Sequence, residues 1–313
     1  MSSAGPRERA LAWRDRRTGT VRGVGAGPSG PAHTCAFYRK ALLALQAAQV
    51  PFLVGGAHAW AHYTGIHRDT KDFDIFVQPH LCARTLEVLC AAGYHTELTF
   101  PHWLGKALCS DGGCIDVIFS SGNGVARVDE EWFAHASAGE ILGMPLRICP
   151  VEEIIWSKAT IMGRERYDGA DIAHLLHAQG QSLDWQRLIS RFGADWRVLF
   201  SHLTLFGYIY PTERSQIPDW VIHELVSRLQ REMRRPDPTE RVCQGTVLSW
   251  DQYLVDVEQK RYHDSRLIPR GMLTAQDIAH ITAILKGTKR PLARPPASAP
   301  ARPGDGASAA RTR

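Results

Sequence analysis

The sequence predicts an α/β domain with a mixed sheet, followed by an all-helical C-terminal domain. Three observations carry that reading. Helix and strand patterns alternate from about residue 34 to residue 149, Pro150 closes the alternation, and nearly every apolar pattern beyond it recurs at helical spacing.

CAFYRKALLALQAAQ (35–49) is amphipathic and predicts a helix. PFLV (51–54) is a short buried strand, and AHAWAHYTG (57–65) is helical. DFDIFV (72–77) alternates as a strand does, and LCARTLEVLCAAG (81–93) is a helix stopped by Gly93. YHTELTF (94–100) is a strand. KALCS, a DGG turn and CIDVIF (106–119) read as a hairpin, because Asp111-Gly112 between two apolar runs is a strong turn signal. LRI (146–148) adds a last strand. Pro150 then suits a first helical turn, with Glu152 and Glu153 placed to complement the helix dipole. Helical spacing continues through DGADIAHLLHAQG, DWQRLISRFG, DWRVLFSHLTLF, PDWVIHELVSRLQREM, WDQYLVDVEQ and TAQDIAHITAIL. The expected organisation is a basic N-terminal tail (1–33), the mixed domain (34–150), a helical domain (151–287) and a Pro/Ala-rich tail (288–313). Both tails are rich in Gly, Pro, Ala and Ser and are expected to be disordered.

The charge separates these parts. The chain as a whole carries +5, but residues 1–33 hold +4 and residues 286–313 hold +6, leaving −5 for 34–285. A surface built to track a long nucleic acid needs clustered Lys and Arg, and the acidic middle argues against one. The seven cysteines stand singly with no CxxC pair, which points to reduced thiols in a cytoplasmic protein and away from a zinc ribbon. No apolar run long enough for a membrane span is found, nor the apolar core of a secretory signal. Gly25, Gly27 and Gly30 match GxGxxG, but no strand precedes them and Pro28 interrupts them, so dinucleotide binding is not expected there.

The chemistry concentrates between Gly55 and Asp116. In a strand, residues i and i+2 share a face, so Asp72 and Asp74 project together while Phe73 and Ile75 point into the core. Neighbouring carboxylates repel unless a cation lies between them, and Mg²⁺ accepts carboxylate oxygens together with substrate phosphates. The pair is either such a metal-phosphate platform or two acids on an exposed strand edge. Three features favour the platform. Gly55-Gly56 joins a strand to a helix, where free backbone N–H groups can receive a phosphate, though a Gly pair also makes an ordinary tight turn. Arg68 and Thr70 supply a cation and a hydroxyl just before the aspartates. Asp116 lies inside the apolar run CIDVIF, where a carboxylate is costly without a partner. The three carboxylates are expected to converge on shared metal.

A strand, Gly-Gly, a helix, R-x-T-x-D-x-D in RDTKDFDIF and a later apolar strand with one Asp resemble the polymerase-β-like nucleotidyltransferase superfamily. The nearest resemblance is to its bacterial antibiotic-modifying and abortive-infection toxin branches. PVEEIIWSKATIMGRERYDGADIAHLL is similar to the helical segment that follows the catalytic domain there, and the resemblance extends over about residues 50–270. It implies a transfer of a nucleoside monophosphate from an NTP to a hydroxyl, with release of pyrophosphate. Gly55 and Gly56 would hold the triphosphate, with Arg68 and Thr70 at the nucleotide. Asp72 and Asp74 would ligate two Mg²⁺ or Mn²⁺ ions, and Asp116 would ligate the catalytic ion and help deprotonate the acceptor. Lys158 would reach a phosphate or the acceptor, with Arg164 and Arg166 behind it. If it does, its loss should lower turnover and leave stability nearly intact; the alternative for Lys158 is a solvated helix lysine. Many members have Gly-Ser where this chain has Gly55-Gly56, so backbone contacts must suffice.

The acceptor is a small molecule, a tRNA end or a protein side chain, and an antitoxin is a further possible partner. The competing readings are a catalytically inactive binding or regulatory module that keeps the fold, and a helical scaffold with an α/β cap, which leaves Asp116 unexplained. His58 and His62, and His174 and His177 beside Asp171, have metal-ligand spacing but read better as packed or surface histidines. Trp156, Trp185, Trp196, Trp220 and Trp250 fall at helical positions and are expected in the core.

Overall fold

A computed structural model describes residues 32–108 and 113–285. The predicted C-terminal tail, the Gly25–Gly30 pattern and the Asp111-Gly112 turn lie outside them. So does the predicted N-terminal tail, except for Ala32 and His33, where the first helix begins.

The first half runs α1 (Ala32–Ala47), β1 (Leu53–Val54), α2 (Gly56–Thr64), β2 (Asp72–Phe76), α3 (Cys82–Ala91), β3 (His95–Phe100), β4 (Leu104–Leu108), β5 (Cys114–Ile118), α4 (Glu130–Ala134), β6 (Ser137–Ile141) and β7 (Met144–Ile148). The seven strands form one sheet in the order β3-β4-β5-β2-β1-β7-β6. The β2/β5 and β1/β7 pairs are parallel and the other pairs antiparallel, so the sheet is mixed as predicted. After Pro150 come α5 (Val151–Ala159), α6 (Gly169–Gln179), α7 (Trp185–Phe192), α8 (Trp196–Ile209), α9 (Asp219–Met233), α10 (Gly245–Leu248), α11 (Trp250–Glu258) and α12 (Ala275–Leu285). This half also holds a two-residue parallel ladder of β8 (Val242–Cys243) and β9 (His263–Asp264), which the helical periodicity does not show.

Strand alternation gives each face of the sheet its own core. Phe73 and Ile75 of β2 and Ile115 and Val117 of β5 are fully buried on one face, packed with Leu42 and Leu45 of α1 and Leu89 of α3. The opposite face carries Leu53, Phe76 and Ile148, which join the helical half in a second cluster with Ile155, Leu175, Leu176 and Leu188. Trp132 of α4 is fully buried there and stacks on Phe76 with ring centres 5.0 Å apart.

Glu152 and Glu153 do more than complement a dipole. Both are buried, and both pair with Arg187 of α7. Glu153 also accepts from Arg191 at 3.0 Å, and Arg191 grips Asp129 through two bonds of 2.6 and 2.9 Å. The network ties the start of α5 to α7 and to the N-cap of α4. Burial pushes the Glu153 carboxyl up, and the two guanidinium groups pull it back.

The hairpin β6–β7 turns through Leu142 and Gly143, both at positive φ (55° and 68°). Such a two-residue loop normally takes Asn-Gly or Asp-Gly. The leucine hides the turn from the sequence, and α4 and β6 go unpredicted with it.

Because the second core is shared between sheet and helices, a cavity on the helical side should weaken the whole. Leu175→Ala is expected to cost about 2–5 kcal/mol, read as a lower urea midpoint followed by circular dichroism.

Candidate active site

The acids lie where β1, β2 and β5 meet α2. Asp72, Asp74 and Phe76 share one face of β2, and Cys114, Asp116 and Ile118 share the matching face of β5. Asp74 is the direct cross-strand partner of Asp116. The same face is therefore apolar at Phe76 and Ile118, under the helical half, and acidic towards the N-terminal ends of both strands.

Gly55 and Gly56 form the wall of this site. The Gly55 N–H donates to the Asp74 carbonyl at 2.9 Å, and α2 begins at the next residue. Gly56 has φ +54°, and a Cβ there would lie 1.7 Å from Asp74 Oδ2. The Asp74 carboxylate thus rests directly on the positive end of α2. The sequence assigns Gly56 to a phosphate, whereas the structure shows that its first requirement is room for Asp74. Burial, then the charges of Asp116 and Asp72, push the Asp74 carboxyl up to about 6, while Lys158 and Arg166 oppose the rise.

Asp116 is not left without a partner. Lys106, its direct neighbour across the β4/β5 ladder, donates to Asp116 Oδ1 at 2.6 Å, and the Cys114 thiol donates to the same oxygen at 3.1 Å. Sequence reasoning passed over Lys106. Its place in β4, the strand that pairs antiparallel with β5, is the signal that would have found it.

The cations assigned from sequence are brought to the site's edge in a different state from the one expected. Arg68 makes two bonds to Asp171, of 2.7 and 2.9 Å, and lies 4.6 Å over the Trp60 ring. Lys158 bridges Asp168 at 2.8 Å and Asp171 at 2.7 Å with only 11% of its side chain exposed, so it is not a solvated lysine. Arg166 completes the row by holding Asp168 at 3.0 and 3.1 Å, and Arg164 is exposed. Burial alone would raise the Asp168 and Asp171 carboxyls, but these cations hold both below the usual carboxylate range. Thr70 serves the loop, its hydroxyl donating to the Asp72 carbonyl at 3.0 Å.

The remaining expectations divide. His58 packs on Phe73, His174 on Trp60 and His177 on Tyr210. Trp156, Trp185 and Trp196 are core residues, but Trp220 is 48% exposed and does not belong to the core. Among the described residues no group of three or more His, Cys, Asp or Glu side chains stands ready to hold a metal ion. The expected convergence of Asp72, Asp74 and Asp116 on one ion is therefore not preformed. In kind and in charge the donors still suit a hard cation: three carboxylates share one face, with Asp74 directly beside Asp116.

No protein-family model and no curated protein matches the chain. Solved structures do. The antibiotic-resistance factor ANT(2'')-Ia is similar over 56% of this chain and 97% of its own, at 16% identity and a TM-score of 0.40. The lincosamide antibiotic adenylyltransferase LnuA, in its lincomycin-bound structure, is similar over 46% of this chain and 96% of its own, at 16% identity and a TM-score of 0.34. JHP933 from Helicobacter pylori is similar over 65% of this chain and 97% of its own, at 14% identity and a TM-score of 0.34.

Two outcomes follow from the electrostatics. An aspartate with a folded-state pKa near 6, above its unfolded value, binds its proton more tightly in the native protein. Its ionisation therefore costs stability above pH 6, and that cost fades as the pH falls towards 4. In metal-free buffer Asp74→Asn should be more stable than the wild type at pH 8, with the gap narrowing on acidification through pH 6, as measured by melts across pH. Lys158→Ala should cost about 3 kcal/mol, since it strips a largely buried partner from two carboxylates; chemical denaturation measures it, and the near-neutral effect expected from sequence would contradict the observed pairing.

Proposed function

We propose that the chain is a nucleotidyltransferase of the polymerase-β-like superfamily, moving a nucleoside monophosphate from an NTP to a hydroxyl acceptor. The observation that carries this reading is the packing of Asp74 onto Gly56, at the start of α2 and beside Asp116 on the neighbouring parallel strand. That arrangement sets carboxylates beside a helix N-terminus, the two features that would receive a metal-complexed triphosphate.

In this reading Gly56 and the first turn of α2 present backbone N–H groups to the triphosphate; Gly55, which the sequence pairs with it, has its own N–H committed to the Asp74 carbonyl and serves the turn instead. Asp72, Asp74 and Asp116 would hold two divalent ions, Mg²⁺ or Mn²⁺, whose role is to neutralise the phosphate charge. The acceptor oxygen attacks the α-phosphorus, the bond from that phosphorus to the bridging oxygen breaks, and pyrophosphate leaves with the electron pair. Asp116 accepts the acceptor's proton. Lys158 and Arg166, whose charges already reach Asp74, would meet the phosphates or the acceptor. Arg68 and Thr70 would shape the loop below the nucleotide. The reaction then depends on positioning and charge stabilisation.

The catalytic unit is 34–150 and the helical unit 151–287, with the helical unit supplying Lys158. The described cysteines are all free, which suits the cytoplasm. Among the described residues no helix is long and apolar enough to cross a membrane. The acceptor is a small molecule, a tRNA or a protein, and an antitoxin remains in the reading as a partner. A second reading, an inactive module that keeps the fold, draws on one observation: Asp116 is already paired with Lys106.

Incubation with each α-labelled NTP, Mg²⁺ or Mn²⁺ and a panel of aminoglycosides, tRNAs and protein extract tests the proposal. Label should move to one acceptor class, and Asp74→Asn and Asp116→Asn should each lower the rate by orders of magnitude while remaining folded. Nucleotide binding without transfer to any acceptor would favour the inactive module.

A further inference from the structure

Lys106 lies in a row of charged residues that crosses four strands. Glu97 of β3, Lys106 of β4, Asp116 of β5 and Asp74 of β2 are successive cross-strand partners, and directly opposed residues share a face. Lys106 therefore has an acid on either side and bonds to one of them. Its ammonium goes to Asp116 at 2.6 Å. Glu97 is left with Thr99 on Oε1, and its Oε2 is buried with no hydrogen-bond partner. Leaving a carboxylate oxygen unsatisfied costs free energy, so the choice of Asp116 marks the stronger negative field on that side. Asp116 has Asp74 directly beside it on the next strand, with Asp72 two residues along the same face, so the acids gather on that side.

We propose that Lys106 is the protein's own counter-ion for the acidic face, holding Asp116 while no metal is bound and competing with a divalent cation for that carboxylate. The inference rests on the metal-binding role given above to Asp72, Asp74 and Asp116. It makes Lys106 a positioning residue that acts through Asp116. It also accounts for the lack of a preformed three-ligand group among the described residues: one Asp116 oxygen already receives both Lys106 and Cys114. The pair is accessible to an incoming ion, with 26% of the Lys106 side chain and 15% of the Asp116 side chain exposed. The pair is mostly buried, so Lys106→Met is expected to lose some stability, and circular dichroism checks that each variant is folded before it is titrated.

The test is a titration of the full-length protein with Mn²⁺ alone, free ion being read by electron paramagnetic resonance. Wild type, Lys106→Met, Lys106→Arg and Asp74→Asn are compared. Removing a positive charge next to the ion should tighten Mn²⁺ binding by on the order of tenfold in Lys106→Met. Lys106→Arg should restore wild-type affinity, and Asp74→Asn should bind more weakly than wild type. A merely structural lysine would give unchanged or weaker binding in Lys106→Met. That result, with Asp74→Asn still weakened, overturns the role of Lys106 and leaves the metal site standing. No Mn²⁺ binding in any protein, or equal binding in wild type and Asp74→Asn, overturns the metal site and this proposal with it. If Lys106→Met does not fold, Lys106→Gln is read in the same way.

Discussion

Strand β2 must place Asp72, Asp74 and Phe76 on a single face, because its other face is filled by Phe73 and Ile75. The helical half therefore cannot cover that face uniformly. It packs where the face is apolar, its Ile155, Leu175 and Leu176 joining Phe76 and the Trp132 of α4 that stacks on it. Beyond Phe76 the same face turns acidic, and a cluster of three carboxylates is costlier to bury under helices than an apolar surface. The site is the uncovered part of a face whose other part is core.

The boundary between covered and uncovered is electrostatic. Arg68, Asp171, Lys158, Asp168 and Arg166 form a chain of alternating charge along the edge of the acidic face. Each acid is shared between two cations, which keeps the cations close to Asp74 without leaving any of the five ions uncompensated. Trp60 adds a second tie, donating from Nε1 to the Asp171 carbonyl at 3.1 Å while its ring supports Arg68. Gln179 adds a third, donating to the Tyr63 carbonyl at 2.9 Å. Through these ties α2 and the loop after it are held to α6.

Much of the fold was legible because the signals were local. DFDIFV and CIDVIF alternate cleanly, and the helices after Pro150 keep their apolar spacing. Where local signals were weak, the sequence was silent: Leu142 occupies a left-handed position that hydrophobic patterning does not mark, and SAGEI in β6 is a half-exposed edge strand whose first three residues are small. The site shows the same division. Asp72, Asp74 and Asp116 stood out because acids between apolar residues are conspicuous. Their partners did not, because pairing is a property of register and crossing chains. Lys106 meets Asp116 across a ladder, and Arg68 meets Asp171 from 103 positions away. The second spacing is not visible along the chain, and the first becomes visible only once the two strands are set in register.

The contact between Gly56 and Asp74 joins two positions into one mutational unit. A side chain at 56 would fall on the carboxylate at 74, and a positive φ penalises any L-residue there as well. A larger residue at 56 becomes tolerable only after the acid at 74 has been shortened or lost. The path away from this chemistry therefore runs in one order, with the acid surrendered before the glycine. A chain of this fold that kept Asp at 74 beside a branched residue at 56 would have had to rebuild the turn between β1 and α2.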